Sequence, residues 1–78
     1  MEKRRVTLHQ RDILRLLAQH KQVTIGELAS FLGVSSVAAT KHANRLQQKE
    51  LLRRQVDEWD RRRTLLILTE LGKSIIHD

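Results

Sequence analysis

A chain of 78 residues is long enough for one domain with a modest hydrophobic core, and it leaves no room for an enzyme cleft between two lobes. Its 15 lysines and arginines outnumber its 9 acidic residues, and the formal charge of +6 favours a partner that carries phosphate. The sequence has no cysteine, which excludes disulfides, thiolate metal sites and thiol redox sensing.

The first predicted element is a helix that follows a short basic arm, residues 1–6. Thr7 and Gln10 form a capping-box pattern, in which a hydroxyl and an amide satisfy the free N–H groups of a helix start. The helix should end near His20 and Lys21, because cations stabilise a helix C-terminus. Its apolar face is formed by Leu8, Ile13, Leu14, Leu16, Leu17 and Ala18. We expect residues 7–78 to form one continuous domain.

A second, shorter helix starts with the same capping pattern, here Thr24 with Glu27. Val23, immediately before it, is predicted to form a brief strand. Gly33 should end the helix, since glycine adopts the left-handed conformation at little cost. The inward positions at helical spacing are Leu28, Ala29 and Leu32.

The third helix is predicted over residues 35–49, only two residues after Gly33. Its inward positions are Ala39, Ala43, Leu46 and Val37, and its outward positions are Ser36, Thr40, Lys41, Asn44, Arg45 and Gln48. The basic residues of the outer side are Lys41, Arg45 and Lys49, and no acidic residue accompanies them. Two helices joined by a tight turn, the second one basic, are typical of a helix-turn-helix, whose second helix fits the DNA major groove of about 12 Å.

An ordinary amphipathic surface helix is the alternative interpretation of this third helix. The small side chains of Ser36, Ala38 and Thr40 favour the helix-turn-helix, because they would allow the helix to lie close against another surface. We therefore interpret the third helix as a recognition helix.

After Leu52 the hydrophobic period changes from that of a helix to that of a strand. Residues 53–56 and 62–68 are predicted strands, joined by the sequence DEWDR, and Thr69 caps a last helix that runs to Ile76. A hairpin after a helix-turn-helix is a wing. The expected fold is therefore α+β, mostly α: a winged helix-turn-helix with a three-helix core, a two-stranded wing and a short C-terminal helix.

Three consecutive arginines, Arg61, Arg62 and Arg63, lie at the base and tip of the predicted hairpin. There they would reach the minor groove or the DNA backbone beside the recognition helix. The alternative is that they solvate the strand and pair with the neighbouring acids, Asp57, Glu58 and Asp60.

Other chemistries have little support in the sequence. The longest apolar run, Leu65 to Leu68, is far shorter than the roughly 18 residues of a membrane-spanning helix. The basic start lacks the apolar segment of a signal peptide, so we expect a cytoplasmic, nucleoid-associated protein. Neither nucleophile-elbow nor phosphate-loop motifs occur, and we expect no enzyme, no cofactor and no metal. The histidines, which have no metal-ligand spacing and are expected to be solvated, are His9, His20, His42 and His77.

The segment LGVSSVAATKHANRLQQKELLRRQVDEWDRRRTLLILTELGK resembles the MarR family of winged helix-turn-helix transcription regulators. The matching features are the Leu-Gly turn, the serine-rich helix start, the Arg-Leu pair near the helix end, the Asp…Asp-Arg-Arg wing, and Leu-Thr-x-x-Gly before the last helix. The resemblance extends over nearly the whole chain from Thr7. It implies sequence-specific binding of double-stranded DNA.

Carried over by position, the resemblance implies two sets of contacts on the recognition helix. Bases would be read by Ser36, Val37, Thr40 and Lys41, while phosphates would be met by Ser35, Asn44 and Arg45. Asp60 and Arg62 match the Asp-x-Arg pair of the family wing, in which the arginine enters the minor groove and the aspartate orients it. Arg61 and Arg63 would then meet phosphate or stabilise the hairpin.

Some features depart from the family pattern. The family's long terminal helices, which form its dimer and effector pocket, have no counterpart here, so we expect a monomer or a weak homodimer that pairs on DNA. Glu50 replaces the usual glycine and would need a positive φ. An apolar set near the C-terminus forms either an association patch or additional core: Ile67, Leu71, Ile75 and Ile76. The alternative function is a protein–protein interaction module on the same scaffold.

Overall fold

The computed structural model describes residues 6–20 and 22–76, which form four helices and three strands. Their bounds are α1 Leu8–Gln19, β1 Val23–Thr24, α2 Ile25–Leu32, α3 Ser36–Gln48, β2 Leu52–Val56, β3 Thr64–Leu68 and α4 Glu70–Ile76. This arrangement confirms the predicted winged helix-turn-helix with a short C-terminal helix. Residues 1–5 of the expected basic arm, Lys21 and His77 lie outside the described residues.

Helix α1 starts at the predicted capping box. The backbone N–H of Gln10 donates to the Thr7 hydroxyl at 3.0 Å, and the Gln10 side chain accepts from the Thr7 N–H at 3.1 Å. The helix ends at Gln19, with His20 as its C-cap. Two members of the predicted apolar face are in fact exposed: Leu8, of which 81% is accessible, and Ala18. Leu8 is the first residue of the helix, where no neighbouring element covers it.

The two helices of the helix-turn-helix are joined at Gly33, which has the predicted left-handed backbone, with a φ of 68°. Ser35 caps α3, since its hydroxyl accepts from the backbone N–H of Ala38 at 3.1 Å. Lys49 is the C-cap, so the helix is one residue shorter at each end than the predicted range 35–49. Glu50 follows with φ 64°, as expected for a residue in place of glycine.

The three strands form one antiparallel sheet in the order β1-β3-β2. The hairpin of β2 and β3 is the predicted wing, and the brief strand β1 pairs along the other side of β3. The connection between β2 and β3 is longer than the predicted DEWDR loop, because β3 starts at Thr64 rather than at residue 62. Arg62 and Arg63 therefore belong to the turn, where the N–H of Arg63 donates to the carbonyl oxygen of Asp60 at 2.9 Å.

The core lies between the helices and the inner face of the sheet. It includes Ile13, Leu14, Leu28, Ala39, Ala43, Leu46, Leu51, Leu52 and Leu66, each at most 1% exposed. Leu71, Ile75 and Ile76 of α4 pack against this core, which favours additional core over an exposed patch for these three. Thr69 fixes the start of α4, because its hydroxyl donates to the Glu50 carbonyl at 2.7 Å and accepts from the Gly72 N–H at 3.0 Å.

Candidate nucleic-acid interface

The outward side of α3 presents small, polar and basic side chains. Ser36, Lys41, Asn44 and Arg45 are exposed and Thr40 is half-buried. The inward position predicted for Val37 is wrong: its side chain is 67% exposed. Val37 lies two residues from the buried Ala39, about 200° around the helix, so it faces away from the core. Helix α3 contains no acidic residue, which leaves a positive surface accessible to a partner.

Lys49, predicted on the same basic side, instead turns towards α1. Its ammonium group donates to Gln10 Oε1 at 2.8 Å, and the residue is half-buried. Its position at the C-cap, beyond the last helical residue, gives it a direction that helical spacing does not describe. The basic residues on the exposed side of α3 are therefore Lys41 and Arg45.

In the wing turn, Asp60 holds the guanidinium of Arg62 with both carboxylate oxygens. Arg62 Nε lies 3.1 Å from Asp60 Oδ1, and Arg62 Nη2 lies 3.3 Å from Asp60 Oδ2. These bonds and the backbone N–H of Arg62 lower the pKa of the Asp60 carboxyl, so it stays ionised. The Arg62 side chain is still 91% exposed. It is thus oriented within the wing while its outer surface remains accessible.

The neighbouring arginines have different surroundings. Arg63 Nε lies 3.7 Å from Asp57 Oδ2. One of the pairs expected if the arginines pair with neighbouring acids is therefore present. Asp57 also accepts from the backbone N–H of Trp59 at 2.9 Å, which shapes the tip of the turn. Trp59 projects from this tip and is 92% exposed. Arg61 is exposed beside it.

A contact between α3 and the wing was not predicted from the sequence. Arg54 of β2 donates from Nη2 to Asn44 Oδ1 at 2.7 Å. The two residues are ten positions apart, and only the packing of β2 beside α3 brings them together. Neither helical nor strand periodicity indicates this pair, because its members belong to different elements.

His42 of α3 meets His9 of α1 edge to face, with ring centroids 4.9 Å apart. Partial burial lowers the pKa of His42, and the nearby His9 and Arg45 lower it further. The expectation that all the histidines are solvated is therefore wrong for His42. Within residues 6–20 and 22–76, no cluster of three or more histidine, aspartate or glutamate side chains could hold a metal ion. In the same ranges no helix is both long and apolar enough to span a membrane.

The glycine-linked helices, the exposed side of α3 and the arginine-bearing hairpin define a winged helix-turn-helix domain. The sequence model of the MarR family matches residues 6–64. The chain belongs to the MarR family.

Individual relatives agree with this assignment. The chain is 39% identical over 72 residues to the HTH-type transcriptional repressor MdtR of Bacillus subtilis, covering 92% of the chain and 46% of that protein. It therefore spans about half the length of this relative. The S. aureus MepR–DNA complex has a TM-score of 0.86 at 27% identity, over 91% of this chain and 59% of that one. Streptococcus pneumoniae FabT in complex with DNA has a TM-score of 0.87 at 25% identity, over 91% and 50%.

Proposed function

We propose that this chain is a transcription regulator that binds specific sequences of double-stranded DNA, with α3 in the major groove and the wing at the minor groove. The observation that carries the proposal is the position of Arg62: Asp60 orients it in the wing, while the acid-free side of α3 is held beside the wing strand. Similar chains in the MepR and FabT complexes are bound to DNA. Acting on the chromosome places such a regulator in the cytoplasm.

Within this proposal the outward residues of α3 and its N-cap have two roles. Ser36, Val37, Thr40 and Lys41 face base edges, and the exposed apolar side chain of Val37 suits the methyl group of thymine. Ser35, Asn44 and Arg45 meet phosphates, which set the position of the helix on the duplex. Arg61 and Arg63 meet phosphate beside the wing. The proposal involves no catalysis and no cofactor.

A salt titration of duplex binding separates DNA recognition from the alternative, a protein-interaction module. If roughly four cations meet phosphate, the logarithm of the association constant should fall with the logarithm of salt concentration at a slope of about −3 to −4. Fluorescence anisotropy with a labelled duplex measures this slope. Failure to bind any duplex at low salt would reject the proposal and favour the interaction module.

Replacing Lys41 with alanine tests the major-groove contact. Lys41 is exposed, so the change should leave the buried residues beneath it, Ala39 and Ala43, undisturbed. The loss should be about 1–3 kcal/mol of binding free energy, confined to sequences with the preferred base if Lys41 reads a guanine. A uniform loss across sequences would assign Lys41 to phosphate. Unchanged affinity for every sequence, in a folded variant, would remove Lys41 from the site.

We also propose that the 78-residue chain is a monomer or a weak dimer that pairs on DNA with half-sites about one helical turn apart. The large exposed apolar side chains of the described residues are dispersed over α1, α2, the turn, α3 and the wing: Leu8, Phe31, Val34, Val37, Val56 and Trp59. Among the described residues this exposed apolar surface is divided among several elements, whereas a stable interface buries roughly 1,600 Å² of total surface. Sedimentation should show a monomer at micromolar concentration.

A tight dimer at nanomolar concentration would contradict this assembly. If Ile75→Glu then dissociated the dimer without unfolding the chain, α4 would be its interface. Thermal unfolding of the variant serves as the control, because Ile75 packs partly against the core.

A further inference from the structure

Asn44 connects the exposed side of α3 to the wing. Its side-chain oxygen accepts from Arg54 Nη2 at 2.7 Å. Arg54 lies within β2, directly opposite Leu66 of the central strand, and Leu66 is 1% exposed. The sheet and the core therefore hold the backbone at Arg54, and this fixes the point from which its side chain extends.

The chemistry of the two side chains fixes the direction in which the amide faces. A guanidinium can only donate hydrogen bonds, and the amide of Asn44 has one accepting atom, Oδ1. Oδ1 must therefore point to the wing, and Nδ2 with its two N–H groups points elsewhere. In residues 6–20 and 22–76 no acceptor contacts Nδ2, and Asn44 is exposed.

We propose that Arg54 is a positioning residue for DNA binding, which holds the Asn44 amide so that Nδ2 donates to a phosphate oxygen. An asparagine that reads adenine needs its oxygen to accept from N6 while its nitrogen donates to N7. With Oδ1 directed at the wing, Asn44 presents donors alone, which suit phosphate. Asn44 thus anchors α3 in a sequence-independent way, and the same bond links α3 to β2. This inference rests on the proposed function and specifies one contact of that site.

Two neutral replacements on adjacent residues of β2 separate positioning from charge. Arg54→Met removes the guanidinium and keeps much of the side-chain length. Arg53→Met removes the same charge one residue away, where Arg53 donates to Gln55 of its own strand at 3.0 Å. Arg54→Met should weaken duplex binding about tenfold on every sequence, the effect of one lost hydrogen bond to a charged group. Arg53→Met should weaken it by less than about threefold, since a more distant charge is screened.

Combining Arg54→Met with Asn44→Ala tests whether both residues serve one contact. Each single replacement should weaken binding about tenfold, and the double replacement should weaken it no further. Asn44→Asp adds a second signature, because the carboxylate keeps an oxygen for Arg54 but turns negative charge towards the DNA. This variant should unfold at the wild-type temperature or above, and it should bind every duplex more weakly than Asn44→Ala does.

Three results would overturn the inference: equal effects of Arg54→Met and Arg53→Met, a double variant about a hundredfold weaker than wild type, or a change of preferred base in Asn44→Ala. In each case wild-type binding to DNA would leave the proposed function standing. A wild-type protein that binds no duplex would overturn the proposed function and this inference together. Thermal unfolding of each variant distinguishes lost binding from lost folding.

Discussion

Replacing Arg62 with alanine is expected to lower the affinity for duplex DNA by about tenfold or more, with the largest loss on sites that have A/T-rich flanks. A/T-rich tracts have a narrow minor groove with strong negative potential, which attracts an inserted arginine. The Arg62 side chain is 91% exposed, yet both oxygens of Asp60 hold its guanidinium, so little ordering is needed when it enters the groove. Anisotropy titrations on duplexes that differ only in their flanks measure the effect.

Arg61→Ala is the matched control, because it removes the same charge from the adjacent position of the turn. It should cost less than Arg62→Ala and show little dependence on the flanks. Asp60→Ala should imitate part of the Arg62 loss, although removal of a negative charge would by itself favour DNA binding. Tighter binding by Asp60→Ala, with Arg62→Ala no weaker than Arg61→Ala, would show that the arginines act only as a diffuse basic patch.

The lowered pKa of Asp60 sets the pH range in which this comparison is valid. Arg62 stabilises the ionised carboxylate. The contribution of this ion pair to the folded wing is therefore complete above the ordinary aspartate pKa, and it is lost only as the pH falls through the lowered pKa. Asp60 does not titrate near neutral pH. The difference in DNA affinity between wild type and Asp60→Ala should therefore be constant across neutral pH.

Gly72→Ala is expected to produce the largest change in stability. Gly72 is buried in α4, and a Cβ there would overlap the carbonyl oxygen of Leu51 and lie 2.8 Å from Leu68 Cδ1. The carbonyl is backbone and cannot turn aside, so α4 would have to move. We expect a loss of about 3 kcal/mol in the free energy of unfolding, which lowers the melting temperature by roughly 12–24 °C for a domain of this size.

Gly26→Ala is the matched control on another helix. A Cβ at Gly26 would meet only the Thr24 hydroxyl oxygen at 3.9 Å, and the residue is exposed. Alanine stabilises a helix relative to glycine. The free energy of unfolding of this variant should therefore equal that of the wild type or exceed it by up to about 1 kcal/mol. A Gly72→Ala variant as stable as Gly26→Ala would contradict the close approach of α4 to Leu51.

The features of the fold that depend on residues close together in the chain were predicted from the sequence. Thr7, Thr24 and Thr69 each cap a helix through a partner three residues away, and such contacts depend on few neighbours. The Asp60–Arg62 pair also spans only two residues, but it was expected from the resemblance to the MarR wing rather than from local spacing. Gly33 was recognised because its left-handed backbone has a residue preference of its own.

The errors concern residues whose environment is set by distant parts of the chain. Lys49 was assigned to the exposed side of α3 by helical spacing. That spacing could not reveal its partner Gln10, which lies 39 residues earlier. Arg54 was missed because its bond to Asn44 exists only after the sheet packs beside α3. The error at Val37 has a different, local cause: it was placed inward for its apolar character, although helical spacing directs it outward. The contacts of the candidate site residues with DNA remain predictions, since they depend on a partner outside the chain.

Recognition of specific DNA by α3 and the wing together can be tested by selecting bound sequences from a pool of random duplexes. We expect an enriched motif in which a few adjacent base pairs are fixed by the first turns of α3, flanked by A/T-rich sequence at the position of the wing. Arg62→Ala should select the same core motif without the A/T preference. A pool that shows no enrichment after repeated selection, or a wild-type protein that retains no duplex, would contradict specific recognition by these two elements.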